Sequence, residues 1–190
     1  MTPKEYKAAL RKERLIIRDV LSSEEHREKS VAIAVHGEKS IKFNSGEVIA
    51  AFHPIRSEVN VILLVEKLRQ KGAVLCLPVI NRNSLIFRQY NEGAILIGTG
   101  FGTRGPKSNA PILNPKIILM PLAAFDSKGN RIGYGAGYYD TTVAEVRYKG
   151  QDPYLIGIAF DVQEVSFVPA EPTDIRLHAV LTESGLKYFH

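Results

Sequence analysis

A chain of 190 residues, 45% hydrophobic and 24% charged, has the composition of an ordinary soluble globular protein. At this length one domain is expected, burying about 70% of its unfolded surface. No apolar run approaches the roughly 18 residues of a membrane span, and the charged opening, MTPKEYKAALRKER, lacks the apolar stretch of a signal peptide. The formal charge of +5 suits the steering of a small polyanion as well as nucleic acid. The single cysteine, Cys76, cannot form an internal disulfide. It sits in the apolar Val74-Leu75-Cys76-Leu77 run and fits a reducing, cytoplasmic setting.

Thr2-Pro3 predicts a helix start, with Thr as cap and Pro in the first turn. Leu10, Ile17 and Leu21 form its apolar stripe, and the helix is expected to end near Val20. Lys4, Lys7, Arg11, Lys12, Arg14 and Arg18 crowd it, with no aromatic residue among them beyond Tyr6. A solvated face is the plain reading of such a run. Ser22 and Glu25 have capping-box spacing and open a second helix. That helix is expected to run to about Val35 and to be closed by His36-Gly37.

Val48 to Phe52 reads as the first core strand, ended by His53-Pro54. An amphipathic helix is expected from about Val59 to Lys71, capped by Gly72. Strands follow at Ala73 to Pro78 and Ser84 to Arg88, with Arg82-Asn83 as a turn. Alternation of strand and helix argues for βαβ units and a mostly parallel sheet.

The stretch 98–108 holds two misleading motifs. Gly100, Gly102 and Gly105 satisfy G-x-G-x-x-G, and Gly100, Gly105, Lys107 and Ser108 approach a P-loop. Both motifs need a following helix whose N-terminus faces phosphate. Pro106, Pro111 and Pro115 forbid one, and Pro106 also removes a donor N–H.

Ile117 to Met120 reads as a buried strand and Asp126 to Asn130 as a polar turn. Gly133, Gly135 and Gly137 then alternate, bracketed by Arg131 and Asp140. Such glycines permit positive φ and close backbone approach, and successive N–H groups can form an anion-binding nest. A cation and a carboxylate beside that nest suit a phosphate and its metal ion. The remaining expected elements are a helix from Thr141 to Tyr148 capped by Asp140, a buried strand from Tyr154 to Phe160, and a last strand from Leu177 to Thr182.

Pro121, Phe125-Asp126, Gly129, Arg131-Ile132-Gly133, Gly135 and Gly137-Tyr138-Tyr139-Asp140 together resemble a longer signature. It is that of the 5-formyltetrahydrofolate cyclo-ligase (methenyltetrahydrofolate synthetase) family: Pro, a short apolar run, Phe-Asp, a turn, then Arg-[Leu/Ile]-Gly-x-Gly-x-Gly-[Tyr/Phe]-Tyr-Asp. Lys7-Ala8-Ala9-Leu10-Arg11 is similar to the family's N-terminal Lys-x-x-Leu-Arg. The likeness extends from about Lys7 to Glu183, with further matches at Gln163 and Val180-Leu181-Thr182-Glu183.

The resemblance implies a three-layer α/β/α domain with a central, mostly parallel sheet. It implies ATP- and Mg²⁺-dependent closure of 5-formyltetrahydrofolate to 5,10-methenyltetrahydrofolate by a monomer, with no nucleic acid and no membrane. It places ATP against Lys7, Arg11, Arg131, Ile132, Gly133, Tyr134, Gly135, Ala136, Gly137, Tyr138 and Tyr139. Arg131 and Tyr139 are also the expected catalytic residues. Asp140 is the expected metal ligand, Glu58 the pterin contact and His53 a wall of the same pocket. Three positions depart from the family pattern. Gly105 stands where Glu is usual, Thr141 where Arg is common after Tyr-Asp, and Thr173 where His is usual in Pro169 to Asp174. These departures leave a binding paralogue with weak or no turnover as the alternative. An isomerase on a similar architecture and a basic nucleic-acid-binding module are more distant ones.

Overall fold

The computed structural model describes residues 2–189. Helix α1 spans Pro3–Asp19, opened by a reciprocal cap in which Glu5 N–H donates to Thr2 Oγ1 at 3.2 Å and Thr2 N–H donates to Glu5 Oε2 at 2.7 Å. Ser22 and Glu25 repeat the arrangement at the start of α2, Ser23–Ser40. This helix runs past His36-Gly37, where an end was expected. Gly37 serves packing there: a Cβ would meet Leu64 at 2.6 Å and Leu181 at 2.8 Å. The glycine therefore marks a close approach of helix, helix and strand.

Next come β1 (Val48–Ala50), α3 (Ile62–Gln70), β2 (Val74–Asn81) and β3 (Ser84–Gln89). They are followed by β4 (Ile97–Gly100), β5 (Thr103–Gly105), β6 (Ile112–Leu113), β7 (Ile117–Pro121), β8 (Ala124–Asp126) and β9 (Arg131–Ile132). Helix α4 (Tyr138–Tyr148), β10 (Tyr154–Ile158), a 3-10 turn at Asp161–Gln163, β11 (Glu164–Val165), β12 (Ala179–Thr182) and β13 (Gly185–Tyr188) complete the chain.

The main sheet has the order β13-β12-β10-β7-β1-β2-β3-β6. Its centre, β12 through β2, is parallel. Its edges are antiparallel. The third strand expected from the sequence is thus no βαβ partner but the return arm of a hairpin. Its turn holds Arg82 at φ 57° between the paired Asn81 and Ser84, the conformation a two-residue hairpin needs.

Alternate strand residues serve opposite faces. Ile49, Leu75, Leu77, Leu119, Ile156 and Ile158 pack with Ile33 and Ala34 of α2 and Leu64 and Leu68 of α3. Ala50, Cys76, Ile118, Met120, Leu155 and Val180 pack with Tyr139 and Val143 of α4. Each fully buried large apolar side chain contributes about 1.5–3 kcal/mol. This is the expected three-layer arrangement. Burial pushes the Cys76 thiol up to about 12, so it stays an inert core group.

Strand order also locates a crevice. From β1 the chain moves outward to β2, while β7, β10 and β12 step away on the other side. The order therefore reverses between β1 and β7. In open α/β sheets ligands bind outside the carboxyl ends of the strands at such a reversal.

Candidate active site

Two chain segments border the crevice: residues 51–61 after β1, and the run from β7 through β8 and β9 into α4. The second is organised by Asp126, which is 1% exposed. Its carboxylate accepts from Lys128 N–H at 2.9 Å, Asn130 N–H at 3.0 Å, Asn130 Nδ2 at 2.9 Å and Val168 N–H at 3.0 Å. These bonds close the turn and fix the direction in which β9 leaves. Gln163, equally buried, donates to the Leu122 carbonyl at 2.7 Å and accepts from Phe160 N–H at 2.9 Å. It thereby ties the ends of β7 and β10 together.

After β9 the backbone passes Gly133, then Gly135 at φ 103° and Gly137 at φ 69°. Helix α4 begins at Tyr138, three residues before the expected start. Asp140 therefore lies in the first turn instead of capping it. Gly137 is the cap residue and offers no side-chain acceptor. The first N–H groups of α4 carry positive partial charge toward the loop without a side-chain cap, the arrangement that favours an anion. Gly133, Gly135, Ala136 and Gly137 form the exposed or half-buried rim, while Ile132 is 2% exposed and packs with Ala123, Ala124 and Val168. The Tyr138 ring lies 6.2 Å from that of Phe101, at the tip of the β4–β5 hairpin.

Charged side chains brace the loop from three sides. Arg11 Nε donates to the Gly133 carbonyl at 2.6 Å, and its guanidinium lies against Gly135. Arg131 Nη2 donates to Asp140 Oδ1 at 2.8 Å, and Arg131 Nε is buried without a hydrogen-bond partner among the described residues. Asp140 Oδ1 also accepts from Ile175 N–H at 3.0 Å. Lys7 reaches a different place: its Nζ pairs with Glu171 at 2.6 Å and with Asp174. Burial opposes the Lys7 charge, but hydrogen bonds to Asp174 and Glu171 outweigh it and hold the amine above its ordinary range. The segment 171–175 is thereby drawn beside Asp140 and α1. Among the described residues, no group of three or more His, Cys, Asp or Glu is arranged to hold a metal ion by itself.

Glu58 faces the loop from the other side of the reversal. It is not a helix-start residue, because α3 begins only at Ile62. It is 5% exposed, and its Oε2 accepts from Ile55 N–H at 2.8 Å. Burial pushes its carboxyl above the usual range, against the pull of Ile55 N–H, the Tyr134 hydroxyl, Arg18 and Arg56. Tyr139 lies close enough to feel Glu58 and Arg131; burial first, then the Glu58 charge, raises its phenol, so it remains a donor. His53 lies in a mostly apolar pocket with Phe52, Leu77, Tyr90 and Leu96. Burial, then Arg104, lowers its imidazole, which is therefore neutral near pH 7.

Arg18 joins these parts, although its sequence context gave no role beyond charge. It is 1% exposed, donating from Nε to Ser57 at 3.0 Å and from Nη1 to the Tyr134 hydroxyl at 2.7 Å. One signal for it was present: Lys7, Arg11, Arg14 and Arg18 recur at intervals of four, three and four residues, which is one helical face. All four are half-buried or buried, whereas Lys4 and Lys12 are exposed.

The misleading glycines of 98–105 form the β4–β5 hairpin, with no helix after it. A separate concavity, lined by Asp161, Glu164, Thr182, Ser184 and Lys187 together with Phe125, Val180 and Leu186, lies at the β12–β13 edge. Its charges are internally paired, Lys187 with Glu164 at 2.6 Å and Ser184 with Asp161.

Comparison with known proteins is consistent with the crevice. A profile of the 5-formyltetrahydrofolate cyclo-ligase family matches residues 3–183. The 5-formyltetrahydrofolate cyclo-ligase of Haemophilus influenzae is 28% identical over 172 residues, covering 87% of this chain and 91% of that protein. The Escherichia coli enzyme of the same name is 32% identical, covering 72% and 78%. Among solved structures, the 5,10-methenyltetrahydrofolate synthetase of Aquifex aeolicus superposes with a TM-score of 0.79 at 28% identity, covering 97% of this chain and 93% of its own. The profile spans nearly the whole chain, and the chain belongs to the 5-formyltetrahydrofolate cyclo-ligase family.

Proposed function

We propose that this protein converts 5-formyltetrahydrofolate to 5,10-methenyltetrahydrofolate at the expense of ATP, releasing ADP and phosphate. The observation that carries the reading is the glycine loop feeding the uncapped N-terminus of α4, with Arg11 on one side and Glu58 across the strand reversal. A formamide is a weak electrophile and its oxygen a poor leaving group. Transfer of the γ-phosphoryl group to the formyl oxygen forms a P–O bond as ADP departs. The neighbouring folate amine then attacks the activated carbon and loses its proton, and the C–O bond breaks to release phosphate. Phosphoryl transfer needs positioning and charge neutralisation more than covalent help.

In this reading the amides from Gly133 to Tyr139 receive phosphate oxygens, and Arg11 and Arg131 supply positive charge. Lys7 does so once released from Glu171 and Asp174. Tyr139, kept protonated, donates at the pocket wall, while Glu58 orients the pterin and His53 bounds it. Magnesium prefers oxygen ligands and keeps several waters. A lone carboxylate at Asp140, with Oδ1 engaged by Arg131 and Ile175, fits a metal carried in mainly by the triphosphate, whose charge it offsets when bound. The test mixes purified protein with 5-formyltetrahydrofolate, ATP and Mg²⁺. The methenyl chromophore should appear with equimolar phosphate, and its absence at high enzyme concentration overturns the reading. Asp140→Asn should weaken Mg-ATP use with the fold intact; unchanged Mg²⁺ dependence removes Asp140 from the site.

A second reading, a binding paralogue with little turnover, is favoured by the Lys7 pairing and by the exposure of Thr141 and Thr173, the positions where Arg is common and His usual in the family pattern. Thr173→His, alone and with Thr141→Arg, separates the two. A gain in turnover supports an enzyme lacking optimal contacts. Tight binding of folate and ATP with no turnover in any form supports the paralogue.

A further inference from the structure

The cations around the glycine loop are not equally free. Arg11 holds a neutral group, the Gly133 carbonyl. Arg131 is paired with Asp140. Lys7, four residues before Arg11 and on the same helical face, is paired with both carboxylates of one turn, Glu171 and Asp174. Those partners lie 164 and 167 residues away in the chain. The turn is closed by its own bonds. Glu171 N–H donates to Asp174 Oδ2 at 2.7 Å, and Asp174 N–H donates to the Glu171 carbonyl at 2.9 Å. It is anchored on either side, where Val168 N–H donates to Asp126 at 3.0 Å and Ile175 N–H to Asp140 at 3.0 Å. Between the anchors residues 170–173 are exposed, and Pro169 and Pro172 have no N–H to offer. Among the described residues, the hydrogen bonds that leave 169–174 go to Lys7. Lys7 is thus the tie that lays this turn between α1 and the first turn of α4.

We propose that Glu171 and Asp174 are internal competitors for Lys7, and that they determine which anions the site accepts in full. Burial within the cluster is unequal. The Lys7 side chain is 12% exposed, that of Glu171 47% and that of Asp174 30%. Carboxylates so exposed lose little on returning to water. The enclosed ammonium is worse placed to do so and needs an anion beside it. Such an arrangement suits the exchange of one set of negative oxygens for another at a fixed cation. Lys7 lies about 6 Å from Arg11 along the helix axis. A short anion on the loop amides meets Arg11 and leaves the Lys7 pairs intact. A polyphosphate chain that extends along α1 displaces both carboxylates and takes the amine. The turn then stays tethered at Val168 and Ile175 but is no longer held to α1. Lys7 is in this way reserved for ligands with enough length and charge, and a monophosphate gains nothing from it. The identity of the natural ligand as ATP rests on the proposed function; the competition itself does not.

The experiment uses the full chain and inorganic phosphates, without folate. Dissociation constants of tripolyphosphate and orthophosphate are measured by calorimetry for wild type, Glu171→Gln and Glu171→Gln/Asp174→Asn. Each is made both with Lys7 and with Lys7→Ala. Both replacements are close in shape, and the Asn keeps an acceptor for Glu171 N–H, so the turn survives. Glu171→Gln should tighten tripolyphosphate by about 2- to 5-fold, and the double variant by more. Orthophosphate binding should stay as it is in wild type. Most of the gain should vanish in the Lys7→Ala background, since the competition runs through that amine. An equal gain for both anions, or with and without Lys7, would mean a general field and overturns the inference. Weaker binding of tripolyphosphate also overturns it, because the carboxylates would then belong to the ligand site. So does tripolyphosphate binding by none of the proteins. Turnover is read separately. If the gain runs through Lys7 but 5-formyltetrahydrofolate and ATP give no methenyl product, the competition stands and the cyclisation reading fails. If product forms and the gain is absent, the cyclisation reading stands and the competition fails.

Discussion

Two glycine-rich stretches of this chain, residues 98–105 and 133–137, look alike on paper and end differently. In the first, Phe101 at φ 52° and Gly102 at φ 79° make the two-residue turn of the β4–β5 hairpin. Its backbone groups are largely spent on the hairpin ladder, and Pro106 follows. In the second, Gly135 and Gly137 also take positive φ, but the chain enters α4 directly, with no side-chain cap. Glycine lets a backbone turn in both places. Only a helix start beyond the turn leaves several N–H groups aimed at one point. The element after the glycines decides whether they can serve an anion, and spacing within them does not.

The largest effect on this contrast is expected from removing the support of the second stretch. Asp126→Ala leaves several buried donors without an acceptor and should cost more than about 3 kcal/mol. Urea denaturation is the measurement, and a loss under about 1 kcal/mol would show that the turn holds without its carboxylate. Next comes Gly135→Ala, which forces a side chain to φ 103° beside Arg11. Strain of about 1–3 kcal/mol, taken from the loop geometry that the proposed phosphoryl transfer needs, should lower kcat/KM for ATP by about 5- to 150-fold. Arg11→Ala should raise the ATP KM by about tenfold, since charge-assisted bonds are the strong ones, while Lys12→Ala on the exposed face leaves it unchanged. Lys7→Ala tests the pairing with Glu171 and Asp174: a raised ATP KM means that the lysine leaves its carboxylates for the nucleotide. Equal effects at all three positions would mean general electrostatics. The smallest effect belongs to the first stretch. Gly102→Ala imposes comparable backbone strain, costing about 1 kcal/mol, in open space. It should leave the ATP KM unchanged, and a shift like that of Gly135→Ala would erase the distinction between the two loops.

Much of this was legible in the sequence, for physical reasons that can be named. Thr2 as a cap and the Ser22–Glu25 capping box were readable because their chemistry is local, although the reciprocal Glu5 half of the first cap was not read, and the buried strands because a parallel core is apolar on both faces. Prolines 106, 111 and 115 excluded a helix after the first glycine stretch. What could not be read depended on partners distant in the chain. Gly37 resembled a helix end until Leu64 and Leu181 were placed beside it. The start of α4 was misjudged because Asp140 resembles a cap, whereas its carboxylate is committed to Arg131 and Ile175. Arg82-Asn83 was read as a turn, but without a glycine it did not mark the β2–β3 pair as a tight hairpin, and the β12–β13 edge was not read. Arg18 looked like one more solvated cation; only the joint spacing of Lys7, Arg11, Arg14 and Arg18 pointed inward. Tyr134 was grouped with the phosphate loop by position, and the direction of its side chain lies beyond any reading of sequence.

The strand reversal has a consequence for how the protein reaches its working form. Ile49 of β1 lies opposite Ile117 of β7, and the entire β2–β6 region intervenes between them. Closing so long an excursion is slow, because its entropy is lost before contacts repay it. The two walls of the crevice cannot face one another until that pairing exists, so ligand-binding competence should return late in refolding, after most helical signal is regained. A ligand that bridges the walls stabilises only the finished sheet. It should therefore slow unfolding and protect the β1 and β7 amides from hydrogen exchange, while leaving the early collapse unchanged.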